Sequence, residues 1–284
     1  MDDQQNTRPL ASSEAVGSFY DQMEAFFDSI FGENIHFGLW DEDEKSSMPH
    51  AQNHLTDRLI DLLQPKDDQY ILDVGCGTGH PALRLAAHTR ARILGVSIST
   101  THVTRANAKA RSADRSPQLD FVRADAMHLP AESGTFDAAW AIEMLFHVPD
   151  RLQVLREIHR TLKPGGRIVL TDFIRTGHLT DDDWNLLTQG FAFSTLLTAD
   201  TYADAITQSG LELVNVHDVT AQTRQNMHWI RSRYADEREH LATHYGQDFI
   251  QQMDQLLPVG MSIYTDKLGY VIAEARRPLD PEHP

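Results

Sequence analysis

A short glycine-rich segment constrains the fold of this chain more than any other feature. The apolar run 71–74 (ILDV) leads directly into three glycines in a G-x-G-x-G arrangement, Gly75, Gly77 and Gly79. Amphipathic sequence over 80–88 follows at once and predicts a helix. Glycine permits tight turns and lets the backbone approach a ligand, and the free N–H groups at a helix start favour an anionic group. The segment therefore predicts a strand–loop–helix unit that binds a small ligand.

The spacing of these glycines separates two classes of ligand. The dinucleotide fingerprint is G-x-G-x-x-G, and His80 stands where its third glycine would be, which would obstruct close approach to a pyrophosphate. Asp73 adds a carboxylate that suits an amino-acid ammonium group, which S-adenosylmethionine carries and NAD lacks. No acid follows the next predicted strand, so a nicotinamide-dependent oxidoreductase is disfavoured. A tight turn without a ligand is the alternative interpretation.

From residue 70 onward the sequence alternates between short apolar runs and amphipathic helical segments, the pattern of parallel βαβ units. Predicted helices lie at about 80–88, 100–112 and 150–162. Predicted strands are 70–74, 92–96, 119–123, 136–141, 167–171, 211–219 and 269–276. We expect a doubly wound, mostly parallel α/β sheet of seven strands, of Rossmann-like type.

The sequence around this core predicts a lid and a cap. Helical spacing of apolar residues over 14–31 and 49–63 predicts an N-terminal helical lid region, residues 1–64. The core, residues 65–277, contains two cap insertions at about 178–208 and 221–262, and residues 278–284 form a tail. We expect large apolar side chains of the insertions to cover an acceptor: Trp184, Phe191, Phe193, Tyr202, Met227, Trp229 and Tyr264.

Charge and composition narrow the partners. With 25 Lys and Arg against 41 Asp and Glu, the net charge of −16 would repel nucleic acid, and no basic cluster overrides it. The apolar runs are far shorter than the ~20 residues of a membrane span. The acidic N-terminus does not resemble a secretory signal. A lone cysteine, Cys76, fits a cytoplasmic protein, and the 15 histidines lack metal-ligand spacing. We expect a small-molecule substrate, no metal, and leave a homo-oligomer open.

Several segments resemble the motifs of class I S-adenosylmethionine-dependent methyltransferases, in the same order along the chain. Residues 71–79 resemble motif I, and the similarity extends from about residue 19 to 277. Later matching segments are 123–130 (RADAMHLP), 136–140 (FDAAW) and 162–167 (LKPGGR). More narrowly, bacterial natural-product methyltransferases of the rebeccamycin sugar, demethylrifamycin and teleocidin type are similar over 34–40 (NIHFGLW), 79–86 (GHPALRLA) and 143–150 (EMLFHVPD).

This resemblance implies S-adenosyl-L-methionine as the cofactor and assigns part of its site. Asp125 matches the acid that holds the adenine amino group, and we expect its neighbour Ala126 to bind the cofactor as well. In the natural-product group a tyrosine of the N-terminal helix covers the cofactor, which points to Tyr20. An interfacial aromatic in a helix stripe is the alternative interpretation of Tyr20.

The sequence departs from the wider family after the second predicted strand. Many class I enzymes place an acid there for the ribose hydroxyls, whereas this chain has Ser97 and Ser99. In the natural-product group a serine and a downstream glutamine commonly take that role, and His102 stands where the glutamine is usual. The resemblance therefore places these three residues near the ribose or the cofactor backbone.

The candidate catalytic residues follow the fourth and fifth predicted strands. His147 is the candidate general base, because its loop faces the methyl end of the cofactor and imidazole titrates near neutrality. Asp172 could orient His147 and stabilise its imidazolium. A His and an Asp at these positions are the proposed catalytic pair of the similar sugar O-methyltransferases. A helix cap near Pro149 is the alternative for His147, and a structural hydrogen bond is the alternative for Asp172. Glu143 is expected to contact cofactor or substrate.

These features together predict methyl transfer to a small molecule, most directly O-methylation of a secondary metabolite with His147 as the base. C-methylation of an alkene or aromatic natural product stays open, because the same base could serve it. In that reaction His147 would remove a carbon-bound proton. A biosynthetic cyclase that keeps the fold and the cofactor site stays open too. A nucleic-acid methyltransferase is disfavoured by the charge and by the absence of an Asn/Asp-Pro-Pro-Tyr segment after the fourth strand.

Overall fold

The computed structural model describes residues 12–41 and 47–280. The beginning of the predicted lid region and the last residues of the predicted tail lie outside the described residues. The described part is built on a seven-stranded sheet in the order β3-β2-β1-β4-β5-β7-β6. Its strands are β1 (Tyr70–Val74), β2 (Arg92–Ser97), β3 (Leu119–Arg123), β4 (Phe136–Ile142), β5 (Leu162–Arg175), β6 (Glu212–Asp218) and β7 (Leu268–Arg276).

The pairing of the strands confirms the predicted doubly wound sheet. β1 pairs in parallel with β2 on one side and with β4 on the other, while β7 runs antiparallel to both β5 and β6. The chain reverses its winding direction between β1 and β4, and ligands of open α/β sheets bind at the carboxyl ends of strands beside such a switch. The glycine loop therefore follows β1 at the expected place.

Eleven helices surround the sheet within the described ranges. They are α1 (Ser13–Gln22), α2 (Glu24–Phe31), α3 (Met48–Leu63), α4 (His80–His88), α5 (Thr100–Ser112), α6 (Arg151–Thr161), α7 (Asp181–Phe191), α8 (Ala199–Gln208), α9 (Thr220–Thr223), α10 (Gln225–Tyr245) and α11 (Gln247–Lys267). The single helix predicted over 14–31 is instead two helices, because the backbone leaves helical geometry at Met23 (φ −96°, ψ 10°). None of the described helices has the length and apolar character that a bilayer crossing requires.

Side chains alternate between two apolar cores, one on each face of the sheet. Ile71 packs on the face covered by α3, α4 and α5, whereas its neighbour Leu72 packs on the face covered by α6 and α8. Tyr202 and Ile206 of α8 are buried in this second core. The prediction that all of 178–208 forms a cap is therefore wrong for α8. The parallel strands β5 and β6 need a crossover connection, and α8 supplies it.

The lid and the remaining cap helices form a second layer above one edge of the sheet. α10 and α11 are inserted between β6 and β7. The lid is joined to this cap, because Trp229 Nε1 donates to the Ile30 carbonyl at 3.0 Å and Arg233 Nε to the Ser29 carbonyl at 2.9 Å. The lid is also joined to the core, since Arg105 on α5 lies 2.8 Å from a carboxylate oxygen of Glu24.

Candidate active site

Two cavities lie side by side above the carboxyl ends of the central strands. The first, called here the glycine-loop cavity, is bounded by the segments after β1, β2, β3 and β4 and by α1. The second, the aromatic cavity, has a volume of about 140 Å³ and lies between the lid and the cap. Nine of the predicted cofactor-binding residues line the glycine-loop cavity: Tyr20, Gly75, Gly77, Ser97, Ser99, His102, Asp125, Ala126 and Glu143.

The three glycines of the loop have different roles. All of them have positive φ values, +77° at Gly75, +49° at Gly77 and +79° at Gly79, which non-glycine residues rarely adopt. A Cβ on Gly77 would meet no protein atom within 4 Å, so this residue leaves open space in the cavity wall. A Cβ on Gly79 would lie 2.8 Å from the Cβ of Ala106. Gly79 is not among the residues that line the cavity, and its missing side chain allows α4 to pack closely on α5, so its contact with the cofactor stays a prediction.

Asp73 lies on β1 just before this loop and is only 2% exposed. Its Oδ2 has no partner at hydrogen-bonding geometry within the described part of the chain, and burial raises the pKa of the carboxyl to about 7, a rise that the nearby Trp140 N–H opposes. An unpaired buried carboxylate oxygen is costly unless a donor or cation compensates it. Asp73 does not itself line the cavity, but the ammonium group of an adenosyl amino acid is a donor of the required charge. The loop therefore fits S-adenosylmethionine.

The residues after β2 join the lid to the cavity. The Ser99 hydroxyl accepts from the His102 N–H at 3.0 Å as the cap of α5 and donates to Asp21 Oδ1 at 2.5 Å. The Ser97 hydroxyl accepts from the Ser99 N–H at 3.3 Å. Burial lowers the pKa of His102 to about 4, so its ring beside Tyr20 is neutral. Asp21 was not predicted to take part in this contact. It lies at an exposed position of α1, where an acidic residue is ordinary, so the sequence gave no signal.

Asp125 stands at the far end of the same cavity, in the segment that follows β3. Its Oδ1 accepts from the Met127 N–H at 2.9 Å, which forms an Asx turn and orients the carboxylate. Ala126, between them, also lines the cavity. Both residues therefore line the cavity, and the contact of Asp125 with the adenine amino group stays a prediction.

The aromatic cavity is walled almost entirely by apolar side chains, and among residues 12–41 and 47–280 no lysine or arginine lines it. Of the predicted cap residues, Phe191, Phe193, Met227 and Tyr264 line it. The lid supplies a second wall: Phe19, Met23, Phe26, Phe27 and Phe31. All but Phe31 belonged to the predicted apolar stripe of the helix, whose helical periodicity was the available signal.

Three predicted cap residues do not line this cavity. Tyr202 is buried on the opposite face of the sheet, where its ring centroid lies 5.3 Å from Cζ of Arg151. The ring of Trp229 lies 6.4 Å from that of Trp40, and Trp184 packs against the outside of the core. Helical periodicity identifies an apolar face, but it does not identify which surface that face meets.

Four residues line both cavities and mark their junction: Tyr20, Ile35, Glu143 and His147. His147 Nδ1 lies 2.8 Å from the carbonyl oxygen of Ala192, and Nε2 lies 2.7 Å from the hydroxyl oxygen of Tyr20. A carbonyl can only accept, so Nδ1 carries the proton and Nε2 accepts from the tyrosine hydroxyl. Burial lowers the pKa of His147 to about 4, which keeps the imidazole neutral at physiological pH.

Asp172 is fully buried in β5 but does not orient His147 directly. Both ring nitrogens of His147 have other partners, and Asp172 Oδ2 lies 3.4 Å from Nη2 of Arg151. Burial raises the pKa of the Asp172 carboxyl to about 6, and the arginine opposes this rise. The prediction of a direct contact between Asp172 and His147 is therefore wrong.

Glu143 holds the connector between α2 and α3 at the junction. Its Oε1 accepts from the Phe37 N–H at 2.7 Å and from the Tyr270 hydroxyl at 2.5 Å. Burial raises the pKa of this carboxyl to about 8. The backbone of Glu143 is left-handed, with φ +49°, a strained geometry that is found at functional sites. Glu143 therefore fixes the wall between the two cavities.

Known proteins of similar sequence and structure point to one family. Residues 72–170 match the family described as "Methyltransferase domain". (+)-O-methylkolavelool synthase of Herpetosiphon aurantiacus is 33% identical over 92% of this chain and 93% of that protein. 27-O-demethylrifamycin SV methyltransferase of Amycolatopsis mediterranei is 35% identical over 96% of this chain and 99% of that protein. The crystal structure of the [4+2]-cyclase SpnF matches with a TM-score of 0.85 and 30% identity, over 96% of this chain and 98% of that chain.

These similarities cover nearly the full length of the chain and of the proteins that it matches. The order of the strands, the glycine loop after β1 and a cavity that fits an adenosyl amino acid are consistent with the same family. The chain therefore belongs to the class I S-adenosylmethionine-dependent methyltransferases.

Proposed function

We propose that this enzyme methylates a hydroxyl oxygen of an apolar secondary metabolite, with His147 as the general base. The observation that carries the proposal is the junction of the two cavities, where a neutral imidazole presents an unprotonated Nε2. S-adenosylmethionine supplies a methyl group that is already activated on a sulfonium sulfur. The protein then has to position an acceptor oxygen and remove one proton.

The proton has a defined route through Tyr20 and His147. The Tyr20 hydroxyl already donates to His147 Nε2, so an acceptor hydroxyl that donates to Tyr20 completes a chain of two hydrogen bonds. As the O–CH₃ bond forms and the S–CH₃ bond breaks, the acceptor proton passes to Tyr20 and the tyrosine proton to Nε2. Burial raises the pKa of the Tyr20 hydroxyl, so the tyrosine relays the proton without remaining ionised.

A histidine pKa near 4 is compatible with this role. The hydroxyl oxygen becomes positively charged as it gains the methyl group, and its proton is then far more acidic than imidazolium. A weak base therefore suffices to take it. The low pKa also returns the proton to solvent at neutral pH, which regenerates the neutral imidazole for the next turnover.

The aromatic cavity indicates the class of acceptor. Because none of the described residues that line it carries a cationic side chain, a phosphate or diphosphate group there would be buried without a counter-charge from this wall. Uncharged, largely apolar molecules with a hydroxyl group fit its phenylalanine and methionine walls. The names of two relatives, an O-methylkolavelool synthase and an O-demethylrifamycin methyltransferase, support O-methylation. We place the reaction in the cytoplasm, with the lid and cap excluding water from the junction.

The test uses S-adenosylmethionine with a deuterated methyl group and a panel of largely apolar natural-product alcohols. Mass spectrometry then locates the label in each product. We expect a labelled methyl ether, and we expect His147→Asn to reduce turnover ~10²-fold or more with little change in cofactor affinity. Label on carbon would establish the C-methylation alternative, and full turnover by His147→Asn would refute the base assignment.

A cyclase is the second candidate, favoured by the 30% identity to the [4+2]-cyclase SpnF over 96% of this chain. A cyclase would convert a polyene substrate to an isomer of equal mass and would leave S-adenosylmethionine unconsumed. Formation of S-adenosylhomocysteine in proportion to product excludes this candidate.

A further inference from the structure

A buried ion pair lies next to the short turn that carries His147. Arg151 begins α6 with a side chain that is 4% exposed, and Asp172 in β5 is 0% exposed. Their closest atoms, Arg151 Nη2 and Asp172 Oδ2, are 3.4 Å apart. Buried pairs of this kind are weak contributors to stability, because two charges lose their hydration. Their geometry is therefore a better guide to their role than their contribution to folding.

The same guanidinium reaches the segment between α7 and α8. Arg151 Nη2 donates to both the carbonyl oxygen and the hydroxyl oxygen of Thr195, each at 3.2 Å. Arginine can do this because its planar group presents several donors in a fixed geometry. The same nitrogen, Nη2, faces both groups: it lies 3.4 Å from Asp172 Oδ2 as an ion pair and donates to Thr195.

The anchored segment is the one that contacts His147. The Ala192 carbonyl accepts from His147 Nδ1 at 2.8 Å. Two residues further on, the Ser194 and Thr195 N–H groups donate to the Phe146 carbonyl, at 2.8 and 3.1 Å. Three hydrogen bonds thus join residues 192–195 to residues 146 and 147, and the arginine fixes the far end of the segment.

We propose that Arg151 and Asp172 are positioning residues that act on His147 through Thr195 and Ala192. By fixing the Ala192 carbonyl, they keep the proton on Nδ1 and leave Nε2 unprotonated at the junction of the cavities. Without this anchor both neutral tautomers are available to the ring, and the tautomer with a proton on Nε2 cannot accept from Tyr20. The proposal rests on the proposed role of His147 as the base.

The decisive variant replaces both charges together, Arg151→Met with Asp172→Leu, since removing only one would leave an unpaired buried charge. Nitrogen NMR of histidine-labelled protein reports which ring nitrogen carries the proton. His147→Asn identifies the His147 signals among the 15 histidines. Arg156→Met is the matched control, because Arg156 is exposed on the same helix.

We expect a single Nδ1–H tautomer for His147 in the wild type and in Arg156→Met. In the double variant we expect this state to be lost to a mixture of both tautomers. A folded double variant with wild-type His147 signals would overturn the proposal. If the double variant does not fold, Arg151→Lys replaces it: lysine keeps the charge opposite Asp172 but cannot also hold Thr195. Wild-type His147 signals in folded Arg151→Lys would overturn the proposal as well.

The NMR measurement needs no acceptor, so it is independent of the proposed O-methylation. With an acceptor available, we expect the double variant to lower kcat roughly 10²-fold or more while KM and cofactor affinity change little. If His147→Asn keeps full turnover, the proposed function fails even where the tautomer shift is observed. An unchanged tautomer with a lowered kcat would instead reject the positioning role alone.

Discussion

Gly77 offers a test in which cofactor binding and folding stability separate. Its backbone has φ +49°, and a Cβ placed there meets no protein atom within 4 Å. Gly77→Ala therefore adds left-handed strain but no steric clash within the protein. That strain costs ~1–2 kcal/mol of unfolding free energy. For a chain of this size we expect the melting temperature to fall by roughly 2–8 °C.

The effect on the cofactor should be much larger. A ligand atom bonded to a backbone N–H of the loop lies about 3 Å from it, closer than a methyl group allows. The added Cβ projects into this space, because Gly77 lines the glycine-loop cavity. We expect the dissociation constant for S-adenosylmethionine to rise at least ~10²-fold, equivalent to about 2.8 kcal/mol. Isothermal titration calorimetry measures it.

Gly134 is the matched control for this substitution. It also has a positive φ, +68°, and open space at the Cβ position, but it does not line either cavity. Gly134→Ala should show a similar fall in melting temperature with unchanged cofactor affinity. If Gly77→Ala binds S-adenosylmethionine as tightly as Gly134→Ala does, the loop is not the cofactor cradle and the reasoning fails.

Three further predictions concern the junction of the cavities. Tyr20→Phe removes the hydroxyl that donates to His147 Nε2, so we expect kcat to fall at least ~10-fold. Calorimetry should show a nearly unchanged cofactor affinity. An unchanged kcat would exclude Tyr20 as the proton relay. Because the pKa of His147 is lowered to about 4, its neutral form persists in acid. We therefore expect kcat/KM for the acceptor, measured at saturating S-adenosylmethionine so that the titration of Asp73 does not limit it, to hold as pH falls to about 5 and to drop only nearer 4. An acid limb near 6.5 would show that the base is not buried. Glu143→Gln keeps an oxygen acceptor for the Phe37 N–H, whereas Glu143→Ala leaves it unpaired, so urea denaturation should show ~1–3 kcal/mol lost only in the alanine variant. Equal losses in both variants would assign the effect to charge instead.

Much of the sheet could be predicted because its information is local. The strands 70–74 and 119–123 were predicted at their observed bounds. The first is a short, largely buried run, and the second is an edge strand in which buried and more exposed side chains alternate. The prediction of a single helix over 14–31 was wrong, because no proline or glycine in the sequence marks the bend at Met23. The prediction that the first cap insertion extends over all of 178–208 was wrong for a different reason. An amphipathic helix such as α8 looks the same whether it covers a cavity or a sheet face.

The sequence by itself determined the glycine loop, the doubly wound sheet and nine of the residues that line the glycine-loop cavity, because these features follow from short motifs and local apolar patterns. Only the tertiary structure decided the environment of His147. Its two partners lie 45 and 127 residues away along the chain, and Asp172, which contacts neither ring nitrogen, is linked to it through Arg151, Thr195 and Ala192. A hydrogen bond requires its donor–acceptor distance to lie within a few tenths of an ångström of the preferred value. Which of several nearby groups satisfies a buried ring nitrogen therefore depends on how distant segments pack.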